Sequence, residues 1–195
     1  MPNMKSRIEC IPLEEGVRLG AEMGIGAVQA GKNAFRALAR HPDLVRNLYG
    51  LLTMLGSRNK LASRLRELII MRIGWTTGSE YEWFQHYEIA TTRAGVSPEE
   101  ILAVRDWRKS KLFGPAERAV LAAVDDTREH GKVSDAVWAE CEQHLREPEA
   151  LIEMVVAIGN WIMFSQILQS LRIPIEGGAA AWPPDGKGPT PIRSL

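Results

Sequence analysis

The chain has 195 residues, of which 45% are hydrophobic and 25% charged, with 24 Lys plus Arg against 24 Asp plus Glu. That length suits one sizeable core, and the balanced charge, with no long basic block, excludes electrostatic recruitment to nucleic acid or to acidic lipid. The only cysteines, Cys10 and Cys141, sit far apart and outside any pairing motif, which excludes a disulfide framework, a structural zinc site and a C-x-x-C redox dithiol.

The opening residues, MPNMKSRIECIPLEEG, hold no apolar run of signal-peptide length. The longest apolar run, Met154 to Phe164, is interrupted by Asn160 and falls short of the roughly 20 residues that cross a bilayer. A soluble, cytoplasmic protein with no membrane contact is expected. Residues 1–32 read as a glycine-rich segment in which any helix is weak or interrupted.

Residues 33–175 read as one helical domain. Asn33 is placed to cap a short helix through Arg40, ended by Pro42. Asp43 opens the next, apolar along one face at Leu44, Leu48, Leu51, Leu52 and Leu55. A third helix spans Ser63 to Trp75, with Leu65, Leu68, Ile69 and Ile73 inward. Ser79 starts a fourth, stopped by Gly95. The run SPEE at 97–100 carries a cap, a first-turn proline and a glutamate, and opens a short helix to Trp107. Pro115 to Glu129 form another, closed by Gly131, and Ser134 caps one through Leu145. Pro148 begins the longest helix, ending near Leu171. No stretch keeps a strand period, so the expected class is all-α, a single-domain helical bundle. Residues 176–195, rich in proline and glycine, read as an extended arm whose Trp182 lies on its own or a neighbouring subunit, or as disordered.

Chemistry concentrates on the fourth helix. Ser79, Glu82 and His86 are spaced by three and four, so they share one face. A carboxylate four residues before a histidine is within reach of the imidazole, the setting of a general acid/base near neutral pH. The same Ser79-x-x-Glu82 spacing is also a capping box, and on that account Glu82 is structural. Spacing leaves both readings open. Trp83 and Tyr87, on the adjacent face, either wall a pocket or fill the core. Arg64, Arg66 and Arg72 flank Glu67, and Arg72 is a candidate clamp for a substrate carboxylate. His41, His130 and His144 suit surface or capping roles. Asn160, inside the most apolar helix, must find backbone or ligand partners, and a structural role is expected. There is no second Glu/His helix for a di-iron bundle, and no nucleophile elbow, Walker loop or dinucleotide fingerprint. No metal and no cofactor are expected.

The segment SRLRELIIMRIGWTTGSEYEWFQHYEIATTRAGVSPEEILAV, Ser63 to Val104, resembles the carboxymuconolactone decarboxylase family, which includes the alkylhydroperoxidase D-like proteins. The matching features are R-E-L on one helix, a small turn, a helix bearing the histidine, then A-G-V-S-x-E-E-I. The upstream RHPDLVRNLYGLL, from Arg40 to Leu52, is similar to the preceding helix of longer members. In the peroxidase branch the resemblance implies a glutamate on the first helix, a C-x-x-C, and a histidine four residues after the second cysteine. Glu67 and His86 match, but Ser79 and Glu82 stand where the cysteines would be. They cannot cycle between dithiol and disulfide. The decarboxylase branch lacks both cysteines and keeps a glutamate four before the histidine, as Glu82 and His86 do here, although those decarboxylases are shorter.

The resemblance therefore implies a homo-oligomeric lyase acting on a small cyclic or β-keto carboxylate, as in aromatic catabolism. His86 would be the proton donor, Glu82 would orient and charge it, and Glu67 would lie behind as a relay. Ser79, Tyr81, Trp83, Tyr87 and Arg72 would line the substrate site. The apolar last helix and Trp182 would serve as interface material. Two other readings remain: a peroxidase-like role without a functional dithiol, and an oligomeric ligand binder that turns nothing over.

Overall fold

The computed structural model of the protein describes residues 6–190. Among them are α1 (Leu13–Glu22), α2 (Ala27–Ala30), α3 (Asn33–Leu38), α4 (Pro42–Ser57), α5 (Ser63–Thr77), α6 (Glu80–Arg93), α7 (Pro98–Ala103), α8 (Pro115–His130), α9 (Asp135–Leu145) and α10 (Pro148–Leu171). Short 3₁₀ turns cover Val104–Lys109 and Glu176–Gly178, and the described residues contain no strand. The protein is all-α.

Local signals account for most boundaries. Ser97 and Glu100 form a reciprocal capping box on α7, and the Ser134 hydroxyl accepts from Val137 N–H to start α9. The His41 Nδ1 accepts from Leu44 N–H at the start of α4. One expectation is corrected and another met. Asn33 does not cap α3; it is the first helical residue, and its side-chain amide donates to the Pro174 carbonyl at 3.0 Å. The glycine-rich stretch is helical but interrupted, as expected, with Gly24 at φ 74° between α1 and α2, while Gly16 and Gly20 are the buried residues of α1 and make its packing face.

Contacts divide the chain into two compact units, along different lines from the three segments read from composition. The first comprises the described residues up to Arg58 and residues 167–179. Its buried residues include Phe35 and Tyr49, whose rings meet edge to face at 5.0 Å. Glu176 accepts from Asn33 N–H at 2.8 Å and ties the second stretch to the first.

The second unit comprises residues 59–166 and the described residues from Ala180 onward. Here α5 packs against α6 and α8, and α8 against α9. Arg64 pairs with Glu100 of α7 and, at 2.9 Å, with Glu117 of α8. Glu153, a charge within the apolar α10, accepts from Lys60 N–H at 2.6 Å and Leu61 N–H at 2.7 Å, just ahead of α5. The core runs through Leu68, Met71, Trp83, Ile101, Trp107 and Leu121.

The arm expectation is resolved within this unit. Trp182 is only 9% exposed, and its ring packs on Trp75 and Trp83, with centroids 5.8 and 5.7 Å away. The Trp83 indole N–H donates to the Pro183 carbonyl at 2.7 Å, and Arg105 holds Asp185 through two 2.8 Å bonds. Trp182 thus belongs to its own chain's core. By length and composition α10 is apolar enough to cross a bilayer, longer than the run first read from the sequence, but half of that window is buried in the protein. That burial is the pattern of a core helix.

The join between α5 and α6 sets the site. Gly78, at φ 72°, ends α5 in the left-handed region, where a residue without Cβ is unstrained. Ser79 N–H then bonds the Gly74 carbonyl at 2.9 Å and Gly78 N–H the Trp75 carbonyl at 3.2 Å, the two bonds of a Schellman motif. Gly74 also lets α6 approach: a Cβ there would lie 3.3 Å from Trp83 N and 3.6 Å from Ser79 O, both backbone atoms. Gly74→Ala is therefore expected to destabilise by about 1–3 kcal/mol, through overpacking against a backbone that has little room to shift. Urea denaturation checks this, and an unchanged midpoint would contradict the close-approach argument.

Candidate active site

Helix α5 brings Glu67 inward and α6 brings Glu82 and His86 to meet it. The His86 Nδ1 lies 2.7 Å from Glu67 Oε2, and Glu67 is 1% exposed. The other Glu67 oxygen takes the Arg66 guanidinium at 3.1 Å. On the far side of the ring, His86 Nε2 lies 3.5 Å from Glu82 Oε2, an ion-pair distance when the imidazole is protonated. The Trp161 indole N–H, from α10, donates to the same Nε2 at 3.2 Å, with the two rings nearly perpendicular.

Burial by itself would push the Glu67 carboxyl upward. The His86 charge and hydrogen bond, and those of Arg66, outweigh it and hold the group below the ordinary glutamate range. Glu67 is thus a carboxylate at neutral pH, fixed in place to orient and charge the imidazole.

The sequence-predicted residues separate on this geometry. Glu67, Glu82 and His86 come together, but with exchanged roles: Glu67 makes the short bond to the imidazole, and Glu82 stands further off. The capping box does not form. Ser79 is the N-cap residue of α6, yet its side chain makes no cap hydrogen bond. The reason is local, because its N–H, which a box would offer to Glu82, is taken by the Gly74 carbonyl. Its hydroxyl is buried and makes no hydrogen bond among the described residues.

Trp83 is fully buried in the tryptophan core and Tyr87 packs against that core, so both face away from a pocket-wall role. Tyr81 is buried. Arg72 is not a clamp at His86. Its Nε donates to Asp125 at 2.7 Å and its Nη1 to the Val104 and Arg105 carbonyls, beside a separate open cleft it shares with Arg108 and Arg128. Asn160 is buried in α10, and among the described residues neither side-chain atom finds the partner expected for it. Its neighbour Trp161 is the site residue that sequence reasoning missed. The only available signal was a hydrogen-bonding aromatic within the most apolar helix.

Neither thiol belongs to this site. Cys141 is buried in α9, and burial, with Glu140 and Asp126 adding, pushes its pKa to about 11. Cys10, in the first unit, is also raised, chiefly by burial. Both are protonated and weakly nucleophilic at neutral pH.

Residues 42–126 match the carboxymuconolactone decarboxylase family, a segment holding Glu67, Glu82 and His86. Solved structures agree in fold. A peroxidase-related protein with an AhpD core, from Ralstonia eutropha JMP134, superposes with a TM-score of 0.70 at 17% identity, over 88% of this chain and 93% of its own. A second peroxidase-related protein, from Silicibacter sp. TM1040, gives a TM-score of 0.70 at 12% identity, over 91% and 96%. The segment 42–126 is thus similar to the carboxymuconolactone decarboxylase family, and the chain shares the AhpD-like helical fold. The debrominase Bmp8, as a cysteine-to-alanine variant in complex with 2,3,4-tribromopyrrole, also shares this fold, with a TM-score of 0.69 at 21% identity over 89% and 94%. At these identities the AhpD-like neighbours establish architecture alone. No curated protein matches the chain. Trp161 lies beyond the segment that matches the decarboxylase family.

Proposed function

We propose that this protein is an acid–base enzyme that removes carbon dioxide from a small cyclic or β-keto carboxylate, with His86 moving the proton. The observation carrying the reading is an imidazole anchored at one nitrogen to a buried carboxylate, with its other nitrogen between Glu82 and Trp161. In the proposed step the bond between the substrate carbon and its carboxylate breaks, and the electron pair passes into an enolate as carbon dioxide leaves. Protonated His86 then gives its Nε2 proton to the enolate carbon, the N–H electron pair stays on Nε2, and solvent reprotonates the ring. Glu67 stabilises the imidazolium throughout.

Glu82, 5% exposed, is assigned as a carboxylate beside the reacting nitrogen in this reading. A substrate carboxylate near it is relieved as its charge moves off into the enolate, whereas a guanidinium clamp would stabilise the ground state and oppose the loss. The engagement of Arg72 elsewhere is consistent with this. The tribromopyrrole held by Bmp8 supports a substrate of single-ring size. The peroxidase-related names among the neighbours find no support in Cys10 or Cys141, whose thiols burial holds protonated at neutral pH. A homo-oligomer is part of the reading, with the exposed apolar residues Ile152, Val155 and Val156 of α10 as its contact surface.

The test is carbon dioxide release from a panel of carboxylated lactones and β-keto acids, wild type beside His86→Ala. The expected result is release by wild type and a loss of about 100-fold or more in the variant. Release by the variant within about threefold of wild type would remove His86 as donor. No release by wild type from any substrate would overturn the decarboxylase reading in favour of a binder or another reaction.

A further inference from the structure

The Nε2 atom of His86 faces two groups with opposite demands. Indole nitrogen is a donor only, so the Trp161 N–H at 3.2 Å calls for a lone pair on Nε2, which only the neutral ring has. The Glu82 carboxylate at 3.5 Å is an acceptor only and calls for a proton there. On the opposite edge Glu67 accepts from Nδ1–H in either state. Each protonation state of the ring therefore has its own partner at Nε2, while Nδ1–H stays fixed.

We propose that Trp161 is a positioning residue for the acid–base step: its indole N–H takes up the Nε2 lone pair as the proton leaves, which makes His86 a stronger acid. This deepens the reading of His86 as proton donor and rests on it. Trp161 does not touch the reacting carbon; it acts through the imidazole. At 4% exposure it is held in the core, so its N–H meets Nε2 without the reorientation that a water would need. Among the groups facing the imidazole are Glu67, with Arg66 behind it, on α5, Glu82 on α6 and the neutral Trp161 on α10. After transfer the ring is the Nδ1–H tautomer, because Glu67 holds that proton and Trp161 holds the other nitrogen.

The experiment is nitrogen-15 NMR of histidine-labelled full-length protein across pH, with the His86 signals assigned by their loss in His86→Gln. This readout needs no substrate, so it stands even if the decarboxylase reading falls. Above its titration, wild-type His86 is expected to show an unprotonated Nε2 and a protonated Nδ1. Trp161→Phe, which keeps an aromatic ring and removes the N–H, is expected to raise the His86 titration midpoint by about 0.4–1 unit, the equivalent of one neutral hydrogen bond. Glu82→Gln is expected to lower it. The pair keeps the test decisive where one variant folds poorly. A Trp161→Phe midpoint that is unchanged or lowered, or an Nε2–H tautomer in the wild type, would overturn the proposal. If a substrate is in hand, the high-pH limb of kcat for Trp161→Phe should move up with the NMR midpoint. Loss of rate with an unmoved limb would mean a packing role alone.

Discussion

Glu67→Gln is expected to cost both stability and activity, because this carboxylate joins a guanidinium and an imidazole that have little access to water. Arg66 is 8% exposed and His86 is half-buried, and both lie against Glu67. Glutamine keeps the shape and removes the charge, so a buried guanidinium faces a neutral amide. Breaking a buried pair from one side typically costs about 3–5 kcal/mol. Turnover should fall by about 10²–10⁴-fold, the range for losing the carboxylate that orients a catalytic imidazole. The pH dependence carries its own sign. Glu67 is held below its unfolded value, so its stabilisation is fully present above about pH 4.3 and is lost as pH falls through the folded value. Wild-type urea midpoints should decline through that acidic window, and the Glu67→Gln profile should be flatter there. A variant as stable as wild type at pH 7, with the same acid limb, would remove Glu67 from the network.

Trp83→Ala is the second large expected loss. The side chain is fully buried, meets Trp75 at 5.6 Å and Trp182 at 5.7 Å, and donates to the Pro183 carbonyl. Arg105 also lies over its ring, 5.1 Å from the centroid. Truncating such a residue typically costs about 3–5 kcal/mol. Here it should also release the 180–188 segment, which Trp83 holds by ring contact and by hydrogen bond. Chemical denaturation measures the first effect. Trypsin cleavage after Lys187 measures the second and should accelerate. A loss below about 1 kcal/mol with unchanged cleavage would mean that the tryptophan cluster is not the clamp described.

The two variants separate the faces of α6. Glu82 and His86 look toward α5 and α10, while Trp83 and Tyr87 look toward the core that receives Trp182. Helical spacing put these residues on two faces but gave no means of telling which face meets a cavity and which a core. The aromatic pair was therefore assigned to substrate on the strength of its neighbours, and its packing reverses that. Arg72 was misassigned for a related reason. Its proximity to Glu67 in sequence says nothing of Asp125, which lies 53 residues later and binds it.

The helix boundaries needed only local information. Capping residues, first-turn prolines and positive-φ glycines act within a turn or two of the backbone, so the all-α class, the limits of α10 and the capping box at Ser97 were legible in the chain. The identities of Glu67 and His86 were legible through family resemblance. Whether Ser79 forms a capping box stayed open in the sequence because its competitor, the Gly74 carbonyl, belongs to the preceding helix. The pairing of His86 with Glu67, the place of Trp161 at Nε2 and the burial of Trp182 were decided only by tertiary structure. Each joins residues 19 to 107 positions apart, and hydrogen bonding and burial depend on distances in space that no local pattern encodes.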